Sequence, residues 1–214
     1  MILIGYSGHS YVINGIFSAM GQKVTGYCDK SEKQYNPLGL IYLGSEISDT
    51  GLEALAINNF FVAVGDNQTR ERISSVLGER SFFPCNAIHP SSVIDNGATI
   101  APRGVMISSH VAINAFAKIG NGVICNTHSV IEHQCNIGDF AHIGPGAILC
   151  GNVHVGQNTL IGAGAVVREN IRIGKNVTVG AGSVVINDIK DNQRVAGNPA
   201  FTINRNLINP ISKC

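Results

Sequence analysis

The residues of this sequence best suited to proton transfer near neutral pH are histidines in its central part. The run NTHSVIEHQ at positions 126–134 contains His128 and His133, and His142 follows it closely. We interpret His133 and His142 as candidate catalytic residues. No zinc-ligand spacing connects the histidines, so we expect no metal site. We interpret three other histidines as surface residues or as residues hydrogen-bonded within the protein: His110, His128 and His154.

Three polar loops near the start of the chain form a second candidate site. Each follows an apolar run typical of a buried strand, and ligands bind beyond the carboxyl ends of parallel strands. Glycines and free N–H groups at a helix start favour a phosphate, and a carboxylate can accept hydrogen bonds from a ribose or base. The sequence therefore predicts a nucleotide-sugar site, with plain structural turns as the alternative. The loops are Ser7-Gly8-His9, Asp29-Lys30 and Gly65-Asp66-Asn67.

Alternating strands and helices must position these loops. Such alternation is typical of a small Rossmann-like parallel sheet, which we place at residues 1–82 as an α/β domain. The GxSGH motif lacks the complete GxGxxG pattern, so a conventional dinucleotide site is not predicted. We expect strands at 1–5, 23–28, 40–43 and 60–64, and helices at 11–20, 49–58 and 68–77.

A six-residue repeat must position the histidines. Thirteen aliphatic or Cys positions recur without insertion from Ile113 to Val185, each preceded two residues earlier by a small or β-branched residue. The same register is visible at Ile88, Ile94, Ile100 and Met106, and it slips by one residue before Ile113. A period of six fits neither a helix nor a plain strand, but is a β-helix signature. We therefore predict a β-helix over residues 83–214, with Leu207 and Ile211 in a C-terminal cap.

Composition excludes several classes of protein. The chain of 214 residues has a formal charge of +1, so a nucleic-acid binder is not expected. No apolar run reaches membrane-spanning length, and the opening MILIGYSGHS is interpreted as a strand and not as a signal peptide. The six cysteines show no CxxC spacing and are interpreted as reduced. These features predict a soluble, cytoplasmic protein.

The run CNTHSVIEHQCNIGDFAHIGPGAILCGNVHVG and the closing GNPA resemble the hexapeptide-repeat acyltransferases. More narrowly, they resemble bacterial enzymes that acetylate a nucleotide-linked 4-amino-4,6-dideoxy sugar, of the bacillosamine and perosamine types, with sialic acid O-acetyltransferases as relatives. The resemblance covers essentially the whole chain. It implies a left-handed β-helix, a homotrimer, acetyl-CoA in a groove between adjacent subunits, and a nucleotide sugar, expected to be UDP-linked, at the N-terminal domain.

The resemblance also implies roles for individual residues. His133 would take the proton from the sugar amine, Asn126 would lie near that amine, and His142 would line the acetyl end of the cofactor. The N–H of Gly151 would hold the thioester oxygen as charge develops. The positions that would meet the pantetheine arm are Ala163 and Ala181.

Two positions depart from the family pattern. Gln134 stands where the bacillosamine branch has an acidic residue beside the base, and Phe201 stands where many relatives have Lys or Arg. An amide orients an imidazole but stabilises its cation less than a carboxylate does. An amine nucleophile needs a weaker base than a hydroxyl, so this departure favours N-acetylation. Sugar O-acetylation and a non-enzymatic β-helix scaffold remain the alternatives.

Overall fold

The computed structural model describes residues 1–203 and shows an α/β part followed by a parallel β-helix. The predicted fold class is confirmed. The predicted cap residues Leu207 and Ile211 lie outside the described residues. Within the described part of the chain, no helix is both long and apolar enough to cross a bilayer.

The N-terminal part is one four-stranded sheet with helices between its strands. All strand pairs are parallel and the order is β3-β2-β1-β4. Because β1, β2 and β4 are buried along their whole length, each is a short, largely apolar segment with no polar alternation. The elements are β1 (Ile2–Ile4), α1 (Gly8–Ala19), β2 (Gly26–Cys28), β3 (Ile41–Tyr42), α2 (Asp49–Ile57), β4 (Phe60–Val62) and α3 (Asn67–Gly78). Every strand and helix predicted here is present.

The β-helix consists of two-residue strands on three faces. The first face contains β5 (Ala87–Ile88), β8 (Met106–Ile107), β11 (Ile124–Cys125), β14 (His142–Ile143), β17 (Leu160–Ile161), β20 (Thr178–Val179), β22 (Arg194–Ala196) and the antiparallel β23 (Phe201–Thr202). The second face contains β6 (Val93–Ile94), β9 (Ala112–Ile113), β12 (Val130–Ile131), β15 (Ile148–Leu149), β18 (Val166–Val167) and β21 (Val184–Val185). The third face contains β7 (Thr99–Ile100), β10 (Lys118–Ile119), β13 (Asn136–Ile137), β16 (His154–Val155) and β19 (Arg172–Ile173).

Turns between the faces form three columns at the corners of a triangular cross-section. The first corner joins the first and second faces, the second corner joins the second and third, and the third corner leads back to the first face. The predicted domain boundary after residue 82 lies between the end of α3 at Gly78 and the start of β5 at Ala87. That exact boundary stays a prediction.

The interior of the β-helix is the aliphatic column expected from the repeat. The repeat positions from Ile113 to Val185 are at most 3% exposed. One expectation is wrong: Ile107, not Met106, belongs to the interior cluster, while Met106 packs with the N-terminal part. The turn between β7 and β8 holds one extra residue and contains Gly104 at a φ of +66°. The register slip therefore occurs one strand earlier than predicted.

The outward residues differ from face to face, and this difference positions the site. The first face starts with Ala87, Met106 and Ile124, covered by the N-terminal part, and continues with His142, Leu160, Thr178 and Arg194. The second face is entirely apolar: Val93, Ala112, Val130, Ile148, Val166 and Val184. The third face is polar: Thr99, Lys118, Asn136, His154 and Arg172.

Candidate active site

The structure divides the predicted catalytic residues into two clusters. His133 lies in the second corner, whereas His142 is the outward residue of β14 on the first face. In a triangular cross-section the second corner is the vertex opposite the first face. A single chain therefore does not bring the two histidines together.

The second-corner cluster consists of His133, Gln134 and Gly151. His133 is exposed, and its Nδ1 lies 3.2 Å from Oε1 of Gln134. The main chain of the next coil lies directly against the ring, since Asn152 N–H donates to the His133 carbonyl over 2.8 Å. A Cβ atom on Gly151 would lie 2.5 Å from Cε1 and 2.6 Å from Nε2 of His133. Any larger residue at this position would displace the imidazole from where it lies.

The N–H group of Gly151 is available to a ligand. Within residues 1–203 no hydrogen-bond acceptor is found for it, although the N–H groups of Cys150 and Asn152 on either side both have acceptors. A free backbone donor beside an exposed imidazole is the arrangement that stabilises a developing oxyanion. The predicted role of Gly151 is compatible with this geometry and stays a prediction.

The first-face cluster contains His142, Asn126 and His9. Nδ2 of Asn126 lies 3.2 Å from Nε2 of His142, and the rings of His9 and His142 are 6.4 Å apart between centroids. Because an amide Nδ2 can only donate, this contact makes Nε2 of His142 an acceptor. Among the described residues, the buried Nε2 of His9 has no hydrogen-bond partner.

Both histidines of this cluster are held neutral by their surroundings. Burial first and the charge of Arg70 second lower the pKa of His142 to about 4. Burial, followed by Arg70, likewise lowers the pKa of His9 to about 4. At neutral pH both imidazoles can exchange hydrogen bonds with a ligand without carrying charge.

A cleft of about 960 Å³ opens beside His142 of this cluster. Its floor is formed by outward residues of the first face, and its walls are the loop after β4 and the asparagines of the third corner. Its size is sufficient for a large, elongated ligand. The residues that define it are Gly65, Asp66, His142, Leu160, Thr178, Asn158, Asn176 and Arg194.

The N-terminal loops lie at one edge of the sheet, as predicted, because they follow parallel strands. Asp29 already has partners in the protein: Oδ2 accepts from Tyr6 N–H over 3.0 Å, and Oδ1 accepts from Lys30 N–H over 2.7 Å. Lys33 Nζ also lies 3.1 Å from Oδ1 of Asp29. Ser7 and Gly8 are exposed at the start of α1. The binding of a nucleotide by these loops stays a prediction.

The loop after β4 has structural contacts that the sequence did not reveal. Asp66 caps α3 by accepting from Thr69 N–H over 2.9 Å. Hydrogen bonds from the side chain and backbone of Thr69 lower the pKa of the Asp66 carboxyl group. The buried Asn67 donates to the carbonyl of Asn158 over 3.1 Å and so ties α3 to the third corner. Glu71 accepts from the side-chain amides of Gln157 and Asn158, each over 2.5 Å.

The predicted pantetheine positions lie in the first corner. Ala163 and Ala181 are exposed and stacked one coil apart, with Gly182 N–H donating to the Ala163 carbonyl over 2.8 Å. Lower in the same corner, the exposed rings of His110 and His128 stack with 4.9 Å between centroids. The upper part of the first corner thus presents small residues to the surface.

Arg70 is the residue of this region that sequence reasoning missed. Its side chain is 1% exposed, and it contacts both the loop after β4 and the third corner. A signal was present, because Arg70, Ile73 and Leu77 form the buried stripe of α3. Among residues 1–203, no group of three or more His, Cys, Asp or Glu side chains is arranged to hold a metal ion.

Known proteins match both parts of the chain. Residues 1–77 match the PglD N-terminal domain family, and residues 152–187 match the bacterial transferase hexapeptide family, described as six repeats. An uncharacterised protein of Acanthamoeba polyphaga mimivirus is 31% identical over 125 residues, which is 56% of this chain and 23% of that protein.

Solved structures match almost the whole chain. PerB from Caulobacter crescentus, in complex with CoA and GDP-perosamine, is 34% identical with a TM-score of 0.88, and the match covers 95% of this chain and 96% of PerB. The acetyltransferase domain of PglB from Neisseria gonorrhoeae, in complex with acetyl coenzyme A, is 31% identical with a TM-score of 0.85, covering 94% and 98%. The chain therefore belongs to the acetyl-CoA-dependent sugar N-acetyltransferases built on hexapeptide repeats.

Proposed function

We propose that this protein transfers the acetyl group of acetyl-CoA to the amine of a nucleotide-linked 4-amino-4,6-dideoxy sugar. The complex of the similar PerB with CoA and GDP-perosamine supports this substrate class. The sequence resemblance favours a UDP-linked sugar, whereas PerB binds a GDP-linked one, so the nucleotide is a variable of the test.

One observation carries the proposed mechanism: the exposed imidazole of His133 lies against Gly151, whose N–H is free among the described residues. The sugar amine attacks the thioester carbonyl, a C–N bond forms, and the thiolate of CoA leaves. His133 accepts the proton that the amine loses. Gln134 Oε1 orients the ring by accepting from Nδ1–H, which leaves the lone pair of Nε2 for this proton. The N–H of Gly151 holds the thioester oxygen.

The two clusters form one site only between subunits. The outward residues of the second face are all apolar, and Val93 and Ile148 are 72% and 38% exposed. A contiguous apolar face of this kind marks an interaction surface. When three copies associate through their second faces, the second corner of one subunit lies beside the first corner of the next. A homotrimer therefore places His133 of one subunit near Asn126, His142, Ala163 and Ala181 of another.

The test measures release of free CoA with acetyl-CoA and UDP- or GDP-linked 4-amino sugars. A general base contributes about 10²–10⁴-fold, so His133→Ala should lower kcat by that order. The matched control is His154→Ala, which removes the outward histidine of β16 on the third face, away from the proposed interface, and should leave kcat close to wild type. Full activity of His133→Ala would contradict the mechanism. Preference for a hydroxyl-bearing sugar over every amino sugar would instead identify an O-acetyltransferase.

A further inference from the structure

Arg70 projects from α3 into the junction between the N-terminal part and the β-helix, and uses every N–H of its guanidinium there. Its side chain is 1% exposed and makes five hydrogen bonds of 2.8–3.0 Å. Nε donates to the Gly122 carbonyl, Nη1 to the carbonyls of Val64 and Gly65, and Nη2 to Asn67 Oδ1 and the Phe140 carbonyl. A guanidinium has five such donors, so none is left over.

A buried arginine is not the energetically most favourable way to join two parts of a protein. Within residues 1–203 no carboxylate forms a salt bridge with Arg70, and all five of its hydrogen-bond acceptors are neutral oxygens. A buried charge costs several kcal/mol, and apolar side chains of similar volume often stabilise such a junction better. Stabilisation of the junction alone therefore does not explain why an arginine is buried here. A requirement for fixed geometry does explain it, because the planar guanidinium defines the positions of its hydrogen-bond acceptors.

The acceptors lie at the start of α3, in the loop before it, and in turns of the third corner. Val64 and Gly65 begin the loop after β4, which forms one wall. Gly122 and Phe140 belong to third-corner turns that lead into β11 and β14, and Phe140 stands two residues before His142. The guanidinium thus connects the wall of the cleft, at Gly65, to the turn before β14, whose His142 lies on the floor.

We propose that Arg70 is a positioning residue of the acetyltransferase site, which fixes the loop after β4 over His142 through its five hydrogen bonds. This inference rests on the proposed function, because it assumes that the cleft takes substrate. Arg70 acts through the loop and through His142, and it is not itself a catalytic residue.

The charge of Arg70 gives this role an observable that a purely structural residue lacks. Burial lowers the pKa of Arg70 to about 10, so it remains protonated at neutral pH. The charged or titratable groups around His142 are Arg70 from α3 and His9 from α1, and Asp66 faces Arg70 from the start of α3. Arg70 is therefore the main charge that opposes protonation of His142.

The experiment compares Arg70→Gln, which removes the charge, with Arg70→Lys, which keeps the charge but not the fork. The matched control is Arg72→Gln, an exposed arginine on the same helix. Histidine ¹⁵N NMR titration, assigned with His9→Gln and His142→Gln, reports the pKa of each ring, and steady-state kinetics report kcat and KM. The titration needs no substrate, so it can succeed or fail separately from the proposed function.

We expect Arg70→Gln to raise the pKa of His142 above about 4 but to leave it below the ordinary 6.5, because burial of the ring remains, and we expect Arg70→Lys to leave it unchanged. Both variants should raise KM for the nucleotide sugar on the order of tenfold, because the loop is no longer fixed. Arg72→Gln should change neither quantity. Unchanged kinetics in both Arg70 variants would overturn the proposal, as would an unchanged pKa in Arg70→Gln. Should Arg70→Gln fail to fold, Arg70→Lys alone decides: wild-type kinetics in that variant overturn the proposal.

Discussion

The second-corner cluster and the first-face cluster both present a histidine, but in opposite surroundings. His133 is exposed, rests on the main chain of a glycine and contacts one side-chain amide. His142 is largely covered, contacts Asn126, and has its pKa lowered to about 4 by burial and then by Arg70. Active sites often separate the roles of two titratable groups by giving them different environments. Here the exposed ring suits proton transfer, and the buried ring suits neutral hydrogen bonding to a ligand.

After removal of His133 itself, the largest effect on the exposed cluster should come from Gly151→Ala. The added Cβ would lie 2.5 Å from His133 Cε1, so the His133 ring must move away from the N–H of residue 151. A displacement of this size can lower kcat on the order of 10²-fold. The measurement is kcat for CoA release in the single variant and in the double variant with His133→Ala.

In the double variant the ring is gone, so Gly151→Ala should add little to the loss caused by His133→Ala alone. If the loss of kcat in the double variant equalled the two single losses combined, Gly151 would not act through His133. Gly151 would then not be what positions the exposed ring of His133 for proton transfer.

A smaller effect, on stability, should distinguish the buried cluster. The pKa of His142 is about 4 in the folded chain and ordinarily 6.5, so the unfolded chain binds the extra proton between these values. The free energy of unfolding should therefore fall as pH drops from 6.5 to 4, by about 1.4 kcal/mol per pH unit for one such histidine. His142→Gln should reduce this dependence in chemical denaturation, leaving the part that comes from His9, whereas His128→Gln should not change it. Equal slopes in wild type and His142→Gln would show that His142 is not held neutral.

The smallest effect is expected from Gln134→Glu. Its carboxylate would stabilise the protonated form of His133 better than the amide does, so we expect a rise in kcat of a few-fold at most, since an exposed charge pair contributes about 0.2–1 kcal/mol. Gln134→Leu removes the contact with Nδ1 and should lower kcat. A decrease in Gln134→Glu larger than that in Gln134→Leu would contradict the orienting role of this position.

Most of the fold could be predicted because the six-residue repeat and the apolar runs are each typical of one kind of structure. The six-residue repeat defined the interior column, and the apolar runs defined β1, β2 and β4. The slip at Met106 was misplaced by one strand, because Met106 and Ile107 are both apolar and buried on opposite sides of the same strand. Pattern alone cannot tell the inside of the β-helix from a junction with another domain.

The candidate site was predicted residue by residue, but its division between two sides of the prism was not. His133 and Gly151 are one full coil apart and therefore stack, whereas His133 and His142 are half a coil apart and face different ways. Arg70 was missed because an arginine in a polar helix resembles a solvated residue until its burial is known. The contacts of Asn67 and Asp66 depend on tertiary packing, which sequence spacing does not encode.

The central claim is that one site takes its two clusters from two subunits, and mixed oligomers test it most directly. His133→Ala and His142→Ala should each be almost inactive alone. When the two variants are co-expressed and assemble at random, every mixed trimer holds one interface with both histidines intact, so about a quarter of wild-type activity should return. Adding Ile148→Asp to both variants places a charge on the apolar second face and should abolish this recovery. Activity in the mixture no greater than the sum of the separate variants would contradict the shared site.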